Sequence, residues 1–512
     1  MTGVSRRAVL RGVGLAALAT VVPAGGLAAY VWTTTGRANV GRVRFERPLA
    51  VPPLLEGVPG PSGEVGLDLR LQAGVSELVP GRATPTWGVN GPHLGPTIRV
   101  RRGDVVAARV RNDLPEATSL HWHGMKLPAV ADGGPHSMIA PGAEWTPSWR
   151  VDQPAATLWY HPHPHGVTKE HVYRGVAGLL LVEDGAAAGL LPETYGVDDV
   201  PVVLQDVNVA EDGALDTAGI GYGGIDIVGL LGSDILVNGT WGPVLRVVTE
   251  LVRLRVLNAS NSRVYDLALA DGRPFHLVGA DSGLLPTPVA TDHLLLSPGE
   301  RAELLVGMRP GERLVLLSRP PDLQGSVFYD RLTDHLSGGD DRFELLRLDA
   351  AERLRPSPPV PAALPAAGPV PPGGRDRILE LGDFTLNGNL FAMDRVDMVV
   401  PLGGPELWRI RNGQGVPHNL HIHNAAFSVV AVDGAAPPPT LGGRKDTVFV
   451  APGSEVAVAV AFGQYPDPHV PYMFHCHLLA HEDAGMMGQF VVVEAGTEDQ
   501  VDVRSAGHAG PH

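Results

Sequence analysis

Short runs of Val, Leu and Ile along this chain are broken every few residues by turn formers, and one run recurs with the same ending: Arg109-Val110-Arg111-Asn112, Arg255-Val256-Leu257-Asn258 and Arg409-Ile410-Arg411-Asn412. A second unit recurs with it. Pro141-Gly142-Ala143-Glu144, Pro298-Gly299-Glu300 and Pro452-Gly453-Ser454-Glu455 each place a Pro-Gly turn and a Glu ahead of alternating apolar residues. Apolar alternation between turn residues marks half-buried strands. The asparagines lie 146 (258 − 112) and 154 (412 − 258) residues apart with signature order preserved, so the pattern predicts three β domains in tandem. We place them at 41–190, 191–350 and 376–495. The stretch Arg355 to Gly374 carries eight prolines and no periodic pattern, which predicts a stiff linker over 351–375. A polar tail follows over 496–512.

Composition agrees with an all-β chain. The 64 Gly and 47 Pro are spread among the apolar runs, as short strands and turns require, instead of being concentrated as in disorder. A formal charge of -15 excludes a nucleic-acid surface, which needs clustered Lys and Arg. Residues 1–40 read as a signal and spacer: Ser5-Arg6-Arg7-Ala8-Val9-Leu10-Arg11 is a twin-arginine pattern followed by an apolar run from Val13 to Val22. Export is therefore expected, to the periplasm, the cell envelope or outside the cell. Cleavage is expected around Ala24 to Ala29, with an uncleaved membrane anchor as the alternative. Exported chains usually spend cysteines in disulfides, yet Cys476 is the single cysteine and forms no bridge within the chain. That thiol needs another purpose.

The histidines supply one. Nine and eleven residues after Asn112 stand His121 and His123; the same offsets from Asn412 give His421 and His423, and in the middle copy Leu267 and Leu269. A second His-x-His pair follows the Pro-Gly turn in the outer copies only, as His161 and His163, and as His475 and His477 flanking Cys476. Residues two apart on a strand share a face about 7 Å apart, close enough for two imidazoles to bind neighbouring ions. If the outer domains pack face to face, eight imidazoles converge, a donor set that suits copper among other metals. In His475-Cys476-His477 the thiolate points away from both histidines, toward a different ion. With His418 and His481 nearby and Met486 as a weak axial thioether, it makes the ligand set of a blue copper electron-transfer site.

The segments HWHG from His121, WYHPHPHG around His161, HNLHIH from His418 and HCHLLAHEDAGMMG from His475 resemble those of three-domain multicopper oxidases, the family of laccases, bilirubin oxidases and the bacterial periplasmic cuprous oxidase. With the repeat framework, the similarity spans about residues 45 to 495. It implies three tandem cupredoxin-like Greek-key β-sandwich domains holding four copper ions. The type 1 ion would take His418, Cys476, His481 and Met486, with Met486 preferred to Met487 on family spacing. The type 2 ion would take His121 and His421, and the type 3 pair His123, His161, His163, His423, His475 and His477. His165, of the same parity, is the alternative to His163; the remaining histidines are assigned to surface or packing. Asp132 and Glu482 match family positions near the cluster and would deliver the protons that oxygen reduction consumes. The other reading of Asp132 is a turn residue before Gly133-Gly134.

The resemblance implies dioxygen and a small reducing substrate or metal ion as partners, and a monomer. Electron entry is expected at an exposed edge of His418. The chain has nine methionines and no methionine-rich segment, and Gln414 to Pro417 contains neither Asp nor Met, so the soft ligands expected of a cuprous-ion oxidase are missing. A laccase-like oxidation of phenols or aromatic amines leads, with cuprous or other metal-ion oxidation as the alternative. From another class comes a non-catalytic cupredoxin-repeat scaffold or copper-binding protein.

Overall fold

A computed structural model of the protein describes residues 37–216, 228–324 and 331–501. The twin-arginine pattern, its apolar run, His508 and His512 lie outside the described residues. Among the described residues, no helix is long and apolar enough to cross a membrane.

The strands form six sheets, paired into three sandwiches in chain order. The first joins a four-stranded sheet, Ala156–Tyr160, Gly178–Glu183, Thr97–Arg101 and Leu54–Glu56, to a sheet built on Val65–Ser76 and Val105–Asn112. The middle sandwich has a six-stranded sheet, five strands between Pro243 and Arg355 plus Arg47–Pro48, and a seven-stranded sheet between Asp199 and Gly307; the third has sheets of four and five strands between Arg375 and Val493. Each encloses its own apolar core, centred on residues such as Trp122 and Leu158, Leu254 and Leu316, and Trp408 and Phe490.

The two recurring signatures are joined physically. Each ends a strand that pairs in parallel with an earlier one, setting Asn112 opposite Leu71, Asn258 opposite Leu204 and Asn412 opposite Leu381. Each Asn side chain is buried and accepts from the backbone two residues on, at Leu114, Ser260 or Gln414. Its amide donates to two carbonyls, those of Glu116 and Ile139, Arg263 and Leu296, or Val416 and Val450. The backbone N–H of each Asn donates to the Pro-Gly turn, at Ala143, Glu300 or Ser454. A short amide that satisfies three buried backbone groups explains why the residue recurs.

In the outer sandwiches the alternation is that of half-buried strands: Val106, Ala108 and Val110 are buried between more exposed neighbours, as are Trp408 and Ile410. The equivalent middle strand is covered on both faces. Its Arg255 meets Asp199 at 2.6 Å and Thr157 of the first sandwich at 2.9 Å, so ion pairing fills the seam that apolar alternation leaves polar.

Residues 41–49, assigned to the first domain from sequence, run along the middle sandwich instead, where Arg47 pairs with Pro243 in parallel. Between 356 and 374 the chain has no helix or strand. It is nonetheless held: the Leu364 N–H donates to the Pro286 carbonyl, and the Val370 N–H to Ser428 Oγ.

Candidate metal centres

The first and third sandwiches meet so that all eight His-x-His imidazoles come together, each at most 1% exposed. His121 and His161 exchange backbone hydrogen bonds, and His421 is opposite His475 in the third sandwich's sheet. Across the seam the His121 ring stacks on His423 at 3.8 Å and the His123 ring on His421 at 3.6 Å. Nε2 atoms of His163 and His475 approach to 3.1 Å, and those of His423 and His475 to 3.2 Å. His123 Nδ1 is 3.4 Å from His161 Nε2, and the His477 ring lies 5.0 Å from His123 and 5.2 Å from His161. In the middle sandwich Leu267 and Leu269 instead fill the apolar core.

Neighbouring acceptors fix which nitrogen each ring turns inward. Nδ1 of His121 donates to the Asp132 carbonyl at 2.8 Å, that of His421 to the Asp446 carbonyl at 2.8 Å, that of His161 to the Pro162 carbonyl at 2.8 Å, and that of His423 to Asp132 Oδ2 at 2.7 Å. These leave Nε2 for a ligand. His123 is reversed, its Nε2 lying 3.1 Å from both Asp446 Oδ1 and Thr447 Oγ1. Among the described residues, Nε2 of His121, Nε2 of His421 and both nitrogens of His477 have no hydrogen-bond partner. Unpaired buried nitrogens cost about 1–3 kcal/mol each, so a cation that accepts their lone pairs fits the donor set.

Burial, with repulsion among the rings, lowers the pKa of His121, His123, His161, His421, His423 and His477 well below the imidazole range. His163 falls to about 4, again mainly through burial. These seven rings are therefore neutral near pH 7, the form that binds metals.

Cys476 faces the other way. Its Sγ lies 3.7 Å from Nδ1 of both His418 and His481, whose nitrogens are 3.1 Å apart. Met486 is buried in the same core cluster as Cys476, and its carbonyl accepts from the Cys476 N–H at 3.1 Å. Met487, next along, pairs with His475 in the sheet. Burial pushes the thiol up to about 12, so a metal binding here must displace a proton.

Glu482 and Asp132 touch different imidazoles. Glu482 Oε2 is 3.1 Å from His475 Nδ1 and Oε1 is 3.4 Å from His163 Nδ1. Burial alone would raise this carboxyl, but the flanking His163 and His475 rings, with a hydrogen bond from His475, outweigh it and hold the group at about 2. Burial raises Asp132 well above the usual carboxylate range.

One expectation is corrected. His418 has no exposed edge, being 1% exposed, and so is His481. The ring of Phe384 stands edge-on to His481 at 5.2 Å. His165 is exposed beside Phe391, outside the cluster, and His171 is a buried packing residue against Thr118. Asp446, Thr447, Arg301 and Phe384 have no motif that singles them out in the sequence.

Multicopper oxidase family profiles match residues 72–187 and 365–496. The cell division protein FtsP of Salmonella typhimurium is 37% identical over 502 residues, covering 95% of this chain and 98% of that protein. The multicopper oxidase mco of Staphylococcus haemolyticus is 33% identical, covering 89% of this chain and 95% of the relative. Among solved structures, a laccase-like multicopper oxidase CueO from Ochrobactrum sp., described as active towards lignin model compounds and lignosulfonate, is 35% identical with a TM-score of 0.77, covering 87% of this chain and all (100%) of that one.

Proposed function

Since this chain belongs to the multicopper oxidase family, we propose that it is an active oxidase, with four coppers and a laccase-like preference for phenols or aromatic amines. The observation that carries this reading is the division at one strand end, with Cys476 Sγ beside His418 and His481, and His475 Nε2 beside His163 and His423.

His418, Cys476, His481 and Met486 would hold the type 1 ion, and His121 and His421, through Nε2, the type 2 ion. The type 3 ions would divide the remaining six, with His123, His161 and His477 on one and His163, His423 and His475 on the other. When bound, copper at the thiolate accepts substrate electrons singly, and copper among the imidazoles delivers them to dioxygen, which becomes water. The residues do the rest. Cys476 and His475 would provide a covalent path between the sites, Asp132 would hold a proton beside the cluster, the ionised Glu482 would accept protons and pass them on, and burial excludes bulk water.

The absence of a methionine-rich segment supports organic donors over cuprous ion. The twin-arginine pattern supports export to the periplasm, envelope or exterior, and the protein would act as a monomer. Steady-state oxygen uptake by the copper-loaded chain with a phenol and with cuprous ion tests the assignment. Comparable or faster turnover of the phenol is expected, and a large preference for cuprous ion would replace it with metal-ion oxidation.

Similarity to FtsP across almost the full length favours a second reading, a role in cell division, for which the non-catalytic cupredoxin-repeat scaffold is the form without turnover. Under it the chain would bind little copper or show no oxygen uptake when loaded.

A further inference from the structure

The middle sandwich carries neither His-x-His pair, yet its Pro-Gly turn reaches the imidazole cluster. Gly299 has φ +83°, and a Cβ there would lie 2.9 Å from His477 Cγ, so the turn's backbone is pressed against that ring. Two residues on, Arg301 is fully buried and spends all five of its N–H donors. Nε donates to the Thr157 carbonyl of the first sandwich at 3.0 Å. Nη1 donates to the Gly299 carbonyl at 2.9 Å and Asp446 Oδ1 at 2.7 Å, and Nη2 to the Asp281 carbonyl at 2.8 Å and Asp446 Oδ2 at 2.5 Å. One guanidinium thus ties all three sandwiches together.

Asp446 passes this constraint to the cluster. The Oδ1 that takes Arg301 Nη1 also lies 3.1 Å from His123 Nε2, and the Asp446 backbone carbonyl accepts from His421 Nδ1 at 2.8 Å. Asp281 of the middle sandwich holds the same segment from behind, accepting from the Asp446 N–H at 3.2 Å and from Lys445 Nζ at 3.0 Å. His123 comes from the first sandwich and His421 from the third, and their rings stack on each other.

We propose that Arg301 is a positioning residue for the cluster, acting through Asp446 to set the orientation and ligand nitrogen of His123 and His421. This rests on the copper reading above. A planar fork fixes a carboxylate in two directions at once, which a lysine cannot do. Without that fork nothing fixes the Asp446 carboxylate in both directions, and its grip on His123 is lost. The middle sandwich then contributes no ligand but supplies the rigid support that the ligands need.

Arg301→Lys and Asp446→Asn in the full chain, loaded with copper and dialysed against chelator, test the idea. Copper per chain, the blue thiolate-copper absorption and the type 2 electron paramagnetic resonance signal are read together. Cluster copper is expected to be held about 10–100-fold more weakly, the usual cost of losing a group behind a metal ligand, with the blue absorption retained. Because lysine keeps the charge but not the fork, Arg301→Lys should not rescue. Variants that keep wild-type cluster signals would overturn the proposal, as would parallel loss of the blue and cluster signals. If Arg301→Lys does not fold, Asp446→Asn, which preserves shape, decides alone. Failure of the wild type itself to bind copper would remove the copper reading and this inference with it, whereas wild-type-like variants of a copper-loaded protein remove only the inference.

Discussion

His475 and Cys476 are chain neighbours whose ligand atoms serve opposite sides of one strand end: His475 Nε2 lies 3.1 Å from His163 Nε2, and Cys476 Sγ lies 3.7 Å from His418 Nδ1. Two sites so joined can be uncoupled by one atom. Cys476→Ser keeps the volume and removes the soft ligand, so the blue absorption is expected to vanish and oxygen uptake to fall to background. Copper bound among the imidazoles should persist, because none of them contacts the sulfur. Electron paramagnetic resonance of the loaded variant checks this; loss of the type 2 signal along with the blue colour would mean that the two sites are not separable.

Glu482 lies against His475 and His163, and Asp132 against His423, so each carboxylate borders the cluster from a different side. Removing a proton carrier slows the protonation steps by about 10²–10⁴-fold. Glu482→Gln should therefore slow reoxidation of the reduced protein by oxygen to that extent, while anaerobic reduction of the blue site by a phenol keeps its wild-type rate. Stopped-flow absorption separates the two half-reactions. Unchanged reoxidation would reduce Glu482 to a spacer between helix and cluster.

The histidine pairs are legible in the sequence because strand alternation is a strict period of two, and a ligand pair on one face must read His-x-His. The recurring Asn is legible because the same three backbone groups need it in each sandwich. Arg301 and Asp446 are not, since they stand 145 residues apart in different sandwiches and no local period links them. Burial of His418 was hidden for the same kind of reason, because packing of the third sandwich depends on contacts between segments distant in the chain. Residues 41–49 were assigned to the first domain because the two-residue strand Arg47–Pro48 has too little alternation to show which sheet it joins.

Phe384 occupies the third position of the turn Gly382–Thr385 with φ 56°, where glycine or asparagine is the usual choice. A bulky side chain held there points to a purpose for the ring, which covers His481. A donor that approaches His481 from this side meets that ring first. Phe384→Ala is expected to expose the His481 edge and raise kcat/KM for bulky phenols about tenfold, equal to about 1.4 kcal/mol of barrier. Steady-state kinetics with phenols of increasing size measure this. Equal or slower oxidation by the variant would show that donors approach elsewhere.

Lys126 gives a stability prediction that is independent of copper. Burial, with the like charge of Arg444 and only partial relief from Asp152, lowers its ammonium pKa to about 8. Below that pH the folded protein carries a poorly solvated charge that the unfolded chain carries freely, so folding pays the full penalty. Between about pH 8 and the unfolded value of about 10.4, the unfolded chain holds a proton that the folded one has released, and stability must rise with pH. Lys126→Met keeps most of the apolar stem and removes the charge. It should stabilise the protein by about 3 kcal/mol at pH 7, and the gain should shrink as pH climbs through 8 toward 10. Chemical denaturation of both proteins at pH 7 and pH 9.5 gives the two differences. A gain that is the same at both values, or a loss at pH 7, would show that the Lys126 ammonium is well solvated or well paired in the folded state.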